Sequence, residues 1–312
     1  MIEPFRPRWP WIGGHLQTIR NQIVRPHHAL PAGERLWLDL GDGDALAATY
    51  HQGTDAARPL VVLVHGLAGA EDSLYLRASA AHLLDAGFST LRLNLRGTGP
   101  SLPRCRGQYH AGRSEDLRLA LAALPDVMTR SGIALVGYSL GGNVLLKFLG
   151  EGAAPNVRMA ASVSAPIDLA EASATLASSR NRLYQSWLLA TMREEALAGP
   201  LSEVERSAVL SARTVTEFDD LYVAPRNGFA SASDYYAKSS AARFLPAIDV
   251  PTLVIQATND PWIPMAAYDA VDWRANPKLT PLFGAGGHVG FHGAGSPVAW
   301  HDRAIAMFFA GI

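Results

Sequence analysis

The stretch V136-G-Y-S-L-G-G142 places Ser139 between small residues at a point where the chain changes character. Before it, Ile133-Ala-Leu-Val136 is a short aliphatic run of strand type. After it, Gly141-Gly-Asn-Val-Leu-Leu-Lys-Phe-Leu-Gly150 has helical spacing. Gly137, Ser139 and Gly141 therefore form G-x-S-x-G at a strand-to-helix turn, the setting in which a serine hydroxyl is left exposed and available as a nucleophile. Five residues alone would fit a structural turn equally well; the flanking elements make Ser139 a candidate for chemistry.

Working outward from this turn, the chain alternates between strand and helix. Glu34 to Tyr50 gives a hairpin around Gly41-Asp-Gly-Asp44, and Asp42 and Asp44 look like turn residues. Leu60 to Val64 is an uninterrupted aliphatic run that suits a strand buried on both faces. A helix over 73–85, a strand over 88–97 and a helix over 113–130 with Pro125 as a kink or early stop precede the Ser139 turn. Strands over 157–163 and 251–257, a helix over 262–273, a weak strand over 279–283 and a final helix over 297–309 follow it. This order predicts an α/β fold with a mostly parallel sheet flanked by helices.

Between Asp168 and Ala247 the alternation stops, for longer than any ordinary connection. The expected division is a 1–33 N-terminal arm, a core formed by 34–167 and 248–312, and a mainly helical 168–247 cap or lid inserted before the acid-bearing strand.

A serine hydroxyl needs a base, and the base needs an orienting carboxylate. Asp260 follows the 251–257 strand and His288 follows Gly286-Gly287, so serine, acid and histidine arrive in that order. Asp260 could instead cap a helix, Asp168 is a rival acid, and His292 competes with His288. Asp116 reads as a surface or capping residue, and Asp219 and Asp220 as part of the cap. An oxyanion would need backbone donors; Leu140 N–H, at the helix start, and Leu67 N–H, in the loop His65-Gly-Leu-Ala-Gly69, are the candidates. His65 reads as loop structure, and the Tyr109-His110 pair with Gly112 either orders a loop, the favoured reading, or lines the pocket. Trp187, Tyr222, Phe229 and Tyr235 are candidates for lining a pocket.

Composition narrows the function classes. With 27 basic and 28 acidic residues, a net charge of -1 and no basic block, the chain lacks a nucleic-acid footprint. Cys105 is the only cysteine, which rules out an intrachain disulfide and fits a reducing, cytoplasmic setting. No Walker or dinucleotide fingerprint and no H-E-x-x-H set appears, so no cofactor and no metal is expected. No apolar run reaches 18 residues, so no transmembrane helix is expected. Phe5, Arg6, Arg8, Trp9 and Trp11 could give peripheral membrane contact, although an arm packed over the domain is the plainer reading.

Together, Gly13-Gly-His-Leu-Gln-Thr-Ile19, His65-Gly-Leu-Ala-Gly69, Asn94-Leu-Arg-Gly97, the Gly137–Asn143 turn, the Asp219 and Tyr235 region, and Asp260 and His288 resemble the α/β-hydrolase superfamily, and within it the YheT-like group. The resemblance implies hydrolysis of carboxylic esters of acyl chains or lipid-like molecules, with Ser139, Asp260 and His288 in the catalytic positions. Thioester or amide hydrolysis, or a non-catalytic binding protein on the same fold, are the alternatives. Some eukaryotic relatives carry an N-terminal anchor, absent from this sequence. Gly13-Gly14 replaces an Asn-Pro usual in the group, a departure expected to loosen a turn without touching the catalytic residues.

Overall fold

The computed structural model describes residues 2–311. Eight strands form one sheet: β1 (Glu34–Asp39), β2 (Ala45–His51), β3 (Leu60–Val64), β4 (Thr90–Leu93), β5 (Ile133–Tyr138), β6 (Val157–Val163), β7 (Thr252–Ala257) and β8 (Leu279–Gly284). Their spatial order is β1-β2-β4-β3-β5-β6-β7-β8. Only β2 runs against the others, pairing antiparallel with β1 and β4; all remaining neighbours are parallel.

The aliphatic run in β3 shows why the sheet has two covered faces. Leu60, Val62 and Val64 join one hydrophobic cluster, and Val61 and Leu63 join the cluster on the opposite face. Alternation along a strand sends neighbours to opposite sides, so a strand covered on both faces has no polar phase. The helix Leu140–Gly150 closes the first face; Leu74–Asp85 and Trp300–Ala310 close the second.

Two predicted helices come out differently. The 113–130 segment splits into Ser114–Ala122 and a single turn, Asp126–Thr129, with Pro125 between them. The helix predicted over 262–273 shrinks to one turn, Ala266–Asp269. There, Asp260 Oδ1 accepts the Trp262 and Ile263 N–H groups, Gln256 Nε2 donates to Ile263 O, and Pro264 disfavours helical geometry at Ile263.

Between β6 and β7 the chain builds helices Leu169–Ala177, Arg182–Ala198, Glu203–Ser211 and Ala232–Ser239. Leu176, Leu188, Met192, Val209 and Phe218 belong to a third hydrophobic cluster formed within this segment, whereas Tyr235, Tyr236 and Leu245 pack into the main core. The N-terminal arm also contains a helix, Gly14–Val24, that sequence reading did not foresee.

Candidate active site

Because β3 and β5 to β8 are parallel, the loops at their carboxyl ends meet along one edge of the sheet. The loop after β5 carries Ser139 at φ 50°, ψ -124°. A Cβ at Gly141 would lie 2.2 Å from His65 O, so the helix can start this close to the β3 loop only with glycine there. Six described non-glycine residues have positive φ; five of them, Ala68, Ser139, Ser164, Val289 and Phe291, stand in the loops of this edge. Such backbone persists only where its surroundings hold it, and it gathers at functional sites.

Ser139, His288 and Asp260 meet here. His288 Nε2 lies 2.9 Å from Ser139 Oγ, and His288 Nδ1 lies 2.9 Å from Asp260 Oδ2. The Asp260 side chain is 0% exposed and that of His288 5%. The two roles considered for Asp260 coexist: Oδ1 takes the Trp262 and Ile263 N–H groups while Oδ2 faces the imidazole. The Trp262 ring stacks on His288 at 4.3 Å between centroids.

The histidine loop is anchored from outside the sheet. His288 N–H donates to Thr18 Oγ1, Gly287 N–H to Asn259 Oδ1, and Val289 N–H to Ser164 Oγ. Thr18 belongs to the arm helix, and the buried Gln17 beside it accepts the His292 N–H and donates to His292 O. A Cβ at Gly14 would fall 1.9 Å from Asn259 O. The Gly13-Gly14 departure is therefore more than a loosened turn: Gly14 lets the arm helix lie against the residue preceding Asp260. His292 is a buried member of this brace, and burial pushes its pKa down to about 3.

The β3 loop passes Ser139 on the other side. Buried His65 donates from Nδ1 to Gly66 O and accepts the Leu95 N–H at Nε2; burial lowers its pKa to about 4, so the neutral ring serves as a strut. Tyr109 Oη accepts the Ala68 N–H and donates to Glu195 Oε2. Among the described residues, neither Leu67 N–H nor Leu140 N–H has an acceptor.

The rival residues are occupied elsewhere. Asp168 caps the helix Leu169–Ala177, accepting the Glu171 N–H. Asp220 accepts the Ala232 N–H. Asp116 and Asp44 are not surface or simple turn groups: both are buried around Arg96, whose NH2 lies 2.7 Å from Asp116 and whose NH1 lies 2.5 Å from Asp44. His110 orders its own loop by accepting the Gly112 N–H, packs edge-on against Phe229 and Tyr235, and with Tyr109 also lines the inner of the two cavities beside Ser139.

Ser139 stands between two cavities. The inner one is lined chiefly by apolar side chains such as Leu140, Leu169, Leu176, Leu188, Met192 and Phe218, and includes Glu195 and Asp219. Burial raises both carboxyls to about 7, and Tyr236 Oη donates to Asp219 Oδ2 at 2.7 Å. The outer cavity is lined by Thr18, Ile19, Gln22, Tyr184, Trp187 and His288 among others. Of the four lining candidates, Tyr235 reaches the inner cavity and Trp187 the outer. Tyr222 and Phe229 line neither: Tyr222 Oη donates to Gln108 Oε1, and Phe229 packs behind Tyr235. Among the described residues, no group of three or more His, Cys, Asp or Glu side chains is placed to hold a metal ion, and no helix is long and apolar enough to cross a membrane.

Comparison with known proteins agrees with this architecture. A family model described as the alpha/beta hydrolase fold matches residues 59–294. YheT of Escherichia coli, whose esterase name is provisional, is 33% identical over 309 residues, covering 93% of this chain and 88% of that protein. The monoacylglycerol lipase of Saccharomyces cerevisiae is 27% identical over 271 residues, covering 82% of this chain and 60% of the yeast protein. The Pyrococcus furiosus esterase Pf2001 superposes with a TM-score of 0.63 at 16% identity, covering 100% of this chain and 98% of that one, a likeness of fold.

Proposed function

The chain belongs to the α/β-hydrolase family and to its YheT-like group, and from that premise we propose that it is a serine esterase acting on carboxylic esters of acyl chains. The observation that carries this reading is the line of two 2.9 Å contacts from Asp260 through His288 to Ser139, ending beside an apolar cavity. Esterase and lipase names among the relatives agree with it.

In this mechanism Asp260 holds the His288 tautomer with hydrogen on Nδ1, which leaves the Nε2 lone pair facing the Ser139 hydroxyl. As Oγ attacks the ester carbonyl, His288 takes its proton, and the resulting imidazolium is stabilised by the buried carboxylate. The developing oxyanion is received by the Leu67 and Leu140 N–H groups. His288 then protonates the departing alcohol, leaving Ser139 acylated, and next takes a proton from water to release the acid. Trp262, stacked on the imidazole, limits its rotation.

Residues 168–247 act in this proposal as a cap, with Leu169, Leu176, Leu188, Met192 and Phe218 supplying the wall of the acyl pocket. Hydrolysis of p-nitrophenyl esters from acetate to palmitate, with Ser139→Ala alongside, tests the reading. Activity lost in the variant, together with fluorophosphonate labelling at Ser139, supports it. Equal turnover by both proteins would refute it.

A further inference from the structure

The arm helix Gly14–Val24 buries polar side chains and leaves apolar ones exposed. Its polar residues Gln17 and Thr18 face the protein and brace the histidine loop. Its apolar residues Leu16 and Ile23, one helical face apart by seven positions, are 41% and 60% exposed, and half-buried Ile19 lies between them. The helix Arg182–Ala198 has a matching stripe: Leu183 is 82% exposed and Trp187 49%, at i and i+4, with Ala190 continuing it outward. The two helices touch where His15 Nδ1 meets Tyr184 Oη at 3.1 Å and the two rings stack. Ile19, Gln22, Tyr184 and Trp187 also line the outer cavity that reaches Ser139 and His288. An apolar surface in two adjoining stripes, at the opening of the site, is costly to leave against water and marks an interaction surface.

Charge selects the partner. The arm, residues 1–33, contains Arg6, Arg8, Arg20 and Arg25 against one acidic residue, Glu3; residues 172–193 contain Arg180, Arg182 and Arg193 and no acidic residue, with Glu194 and Glu195 following. The whole chain is nearly neutral, so this segregation is local. Arg6, Arg8, Arg25, Arg180 and Arg182 are exposed, and among the described residues none pairs with a carboxylate. Asp72, the one carboxylate lining the outer cavity, is held by Arg77 and Arg92. Trp9, 80% exposed on the arm beside Arg8, adds an amphipathic ring of the kind that settles at a headgroup boundary.

We propose that this face docks on a lipid bilayer carrying anionic headgroups, with Leu16, Ile23, Leu183, Trp9 and Trp187 entering the boundary and the arginines meeting the headgroups. Docking sets the outer cavity against the lipid, so that an acyl ester can pass to Ser139 without crossing bulk water. Apolar insertion combined with a basic rim is the physical requirement for binding such a surface.

The test is co-sedimentation of the full chain with vesicles of phosphatidylcholine alone and with vesicles in which about a third of the lipid is phosphatidylglycerol. The wild type should bind the anionic vesicles at least about ten-fold better, and added salt should weaken binding. The triple variant Leu16→Ser, Ile23→Ser, Leu183→Ser should lose about ten-fold in vesicle binding, yet hydrolyse a water-soluble ester as the wild type does. A second variant, Arg180→Glu with Arg182→Glu, should lose the preference for anionic lipid and covers the case in which the triple variant fails to fold. Absence of binding to anionic vesicles, or equal binding by wild type and both variants, would overturn the proposal. So would self-association in solution that the serine substitutions abolish without any vesicle binding, because a second copy would then cover the face. The proposal goes beyond the esterase reading, and Ser139→Ala should bind vesicles as the wild type does, so the two can fail separately.

Discussion

The sheet edge that carries Ser139, Asp260 and His288 and the helical segment between β6 and β7 are built on different terms. At the edge, positions are set by backbone contact: Gly141 against His65, Gly14 against Asn259, and positive φ at Ser139, Ser164 and Val289. Little there can shift without a collision. The inserted segment rests on its own small cluster around Leu188 and Phe218, and it places the carboxyls of Glu195 and Asp219 beside the inner cavity, each with a tyrosine hydroxyl as partner. The difference teaches that side chains are positioned by backbone contact at the edge and by a separate small apolar cluster in the insertion; in the proposed reading the first sets the reaction geometry and the second walls the acyl pocket.

The largest effect should follow from disabling the edge without unfolding it. Ser139→Ala should lower kcat/KM by about five orders of magnitude, and Asp260→Asn by about four, with thermal unfolding little changed in the serine variant. Retention of more than a tenth of the activity by Asp260→Asn, read with a short-chain ester, would show that the edge tolerates a wrong tautomer and would break the comparison. Gly141→Ala is the steric counterpart. Its Cβ would meet His65 O at 2.2 Å, so soluble, fully active protein from this variant would show that the edge is looser than its geometry implies.

Tyr109 ties the two regions together, since its hydroxyl holds both Ala68 N–H in the β3 loop and Glu195 in the inserted segment. Tyr109→Phe should lower kcat about ten-fold by freeing the loop that presents Leu67, and leave KM almost unchanged. Tyr109 also lines the inner cavity, so a change confined to KM would assign its effect to substrate binding and not to the loop.

A further effect, read in stability and not in turnover, is a pH dependence. Asp219 is raised to about 7 by burial, so the folded protein holds this proton where the unfolded chain, titrating near an ordinary aspartate, has released it. Its contribution is therefore complete below about pH 4 and is lost as pH rises through about 7, with an upper bound of about 4 kcal/mol. Urea unfolding at about pH 5.5 and about pH 8 should show the wild type losing stability at the higher pH, and Asp219→Asn should flatten that difference. An unchanged slope in the variant would assign the dependence to other groups, Glu195 first among them.

Much of the succession of strands is legible in the sequence, because a strand covered on both faces leaves an aliphatic run such as Leu60–Val64 or Leu253–Ile255. The meeting of Ser139, Asp260 and His288 was legible for the same reason: each follows a parallel strand, and parallel strands bring their carboxyl ends together. Less legible was anything that depended on a partner distant along the chain. Asp116 and Asp44 looked like surface and turn residues because Arg96, which makes their burial tolerable, lies outside the local pattern. The 262–273 helix was overestimated because Asp260 and Gln256 take backbone groups that a helix would need.

What the sequence determined by itself was the alternating order of elements, the turn at Ser139 and the order of the three polar residues that follow parallel strands, since these arise from local sterics and from burial of whole strands. Tertiary structure alone decided that the arm helix braces the His288 loop through Thr18 and Gln17, that Tyr109 spans loop and insertion, and that Tyr222 and Phe229 turn away from both cavities. Periodicity says which face of a helix differs from the other. Only packing says which face is turned inward, and in the arm helix Gln17 and Thr18 face inward because backbone N–H groups of the His288 loop needed acceptors there.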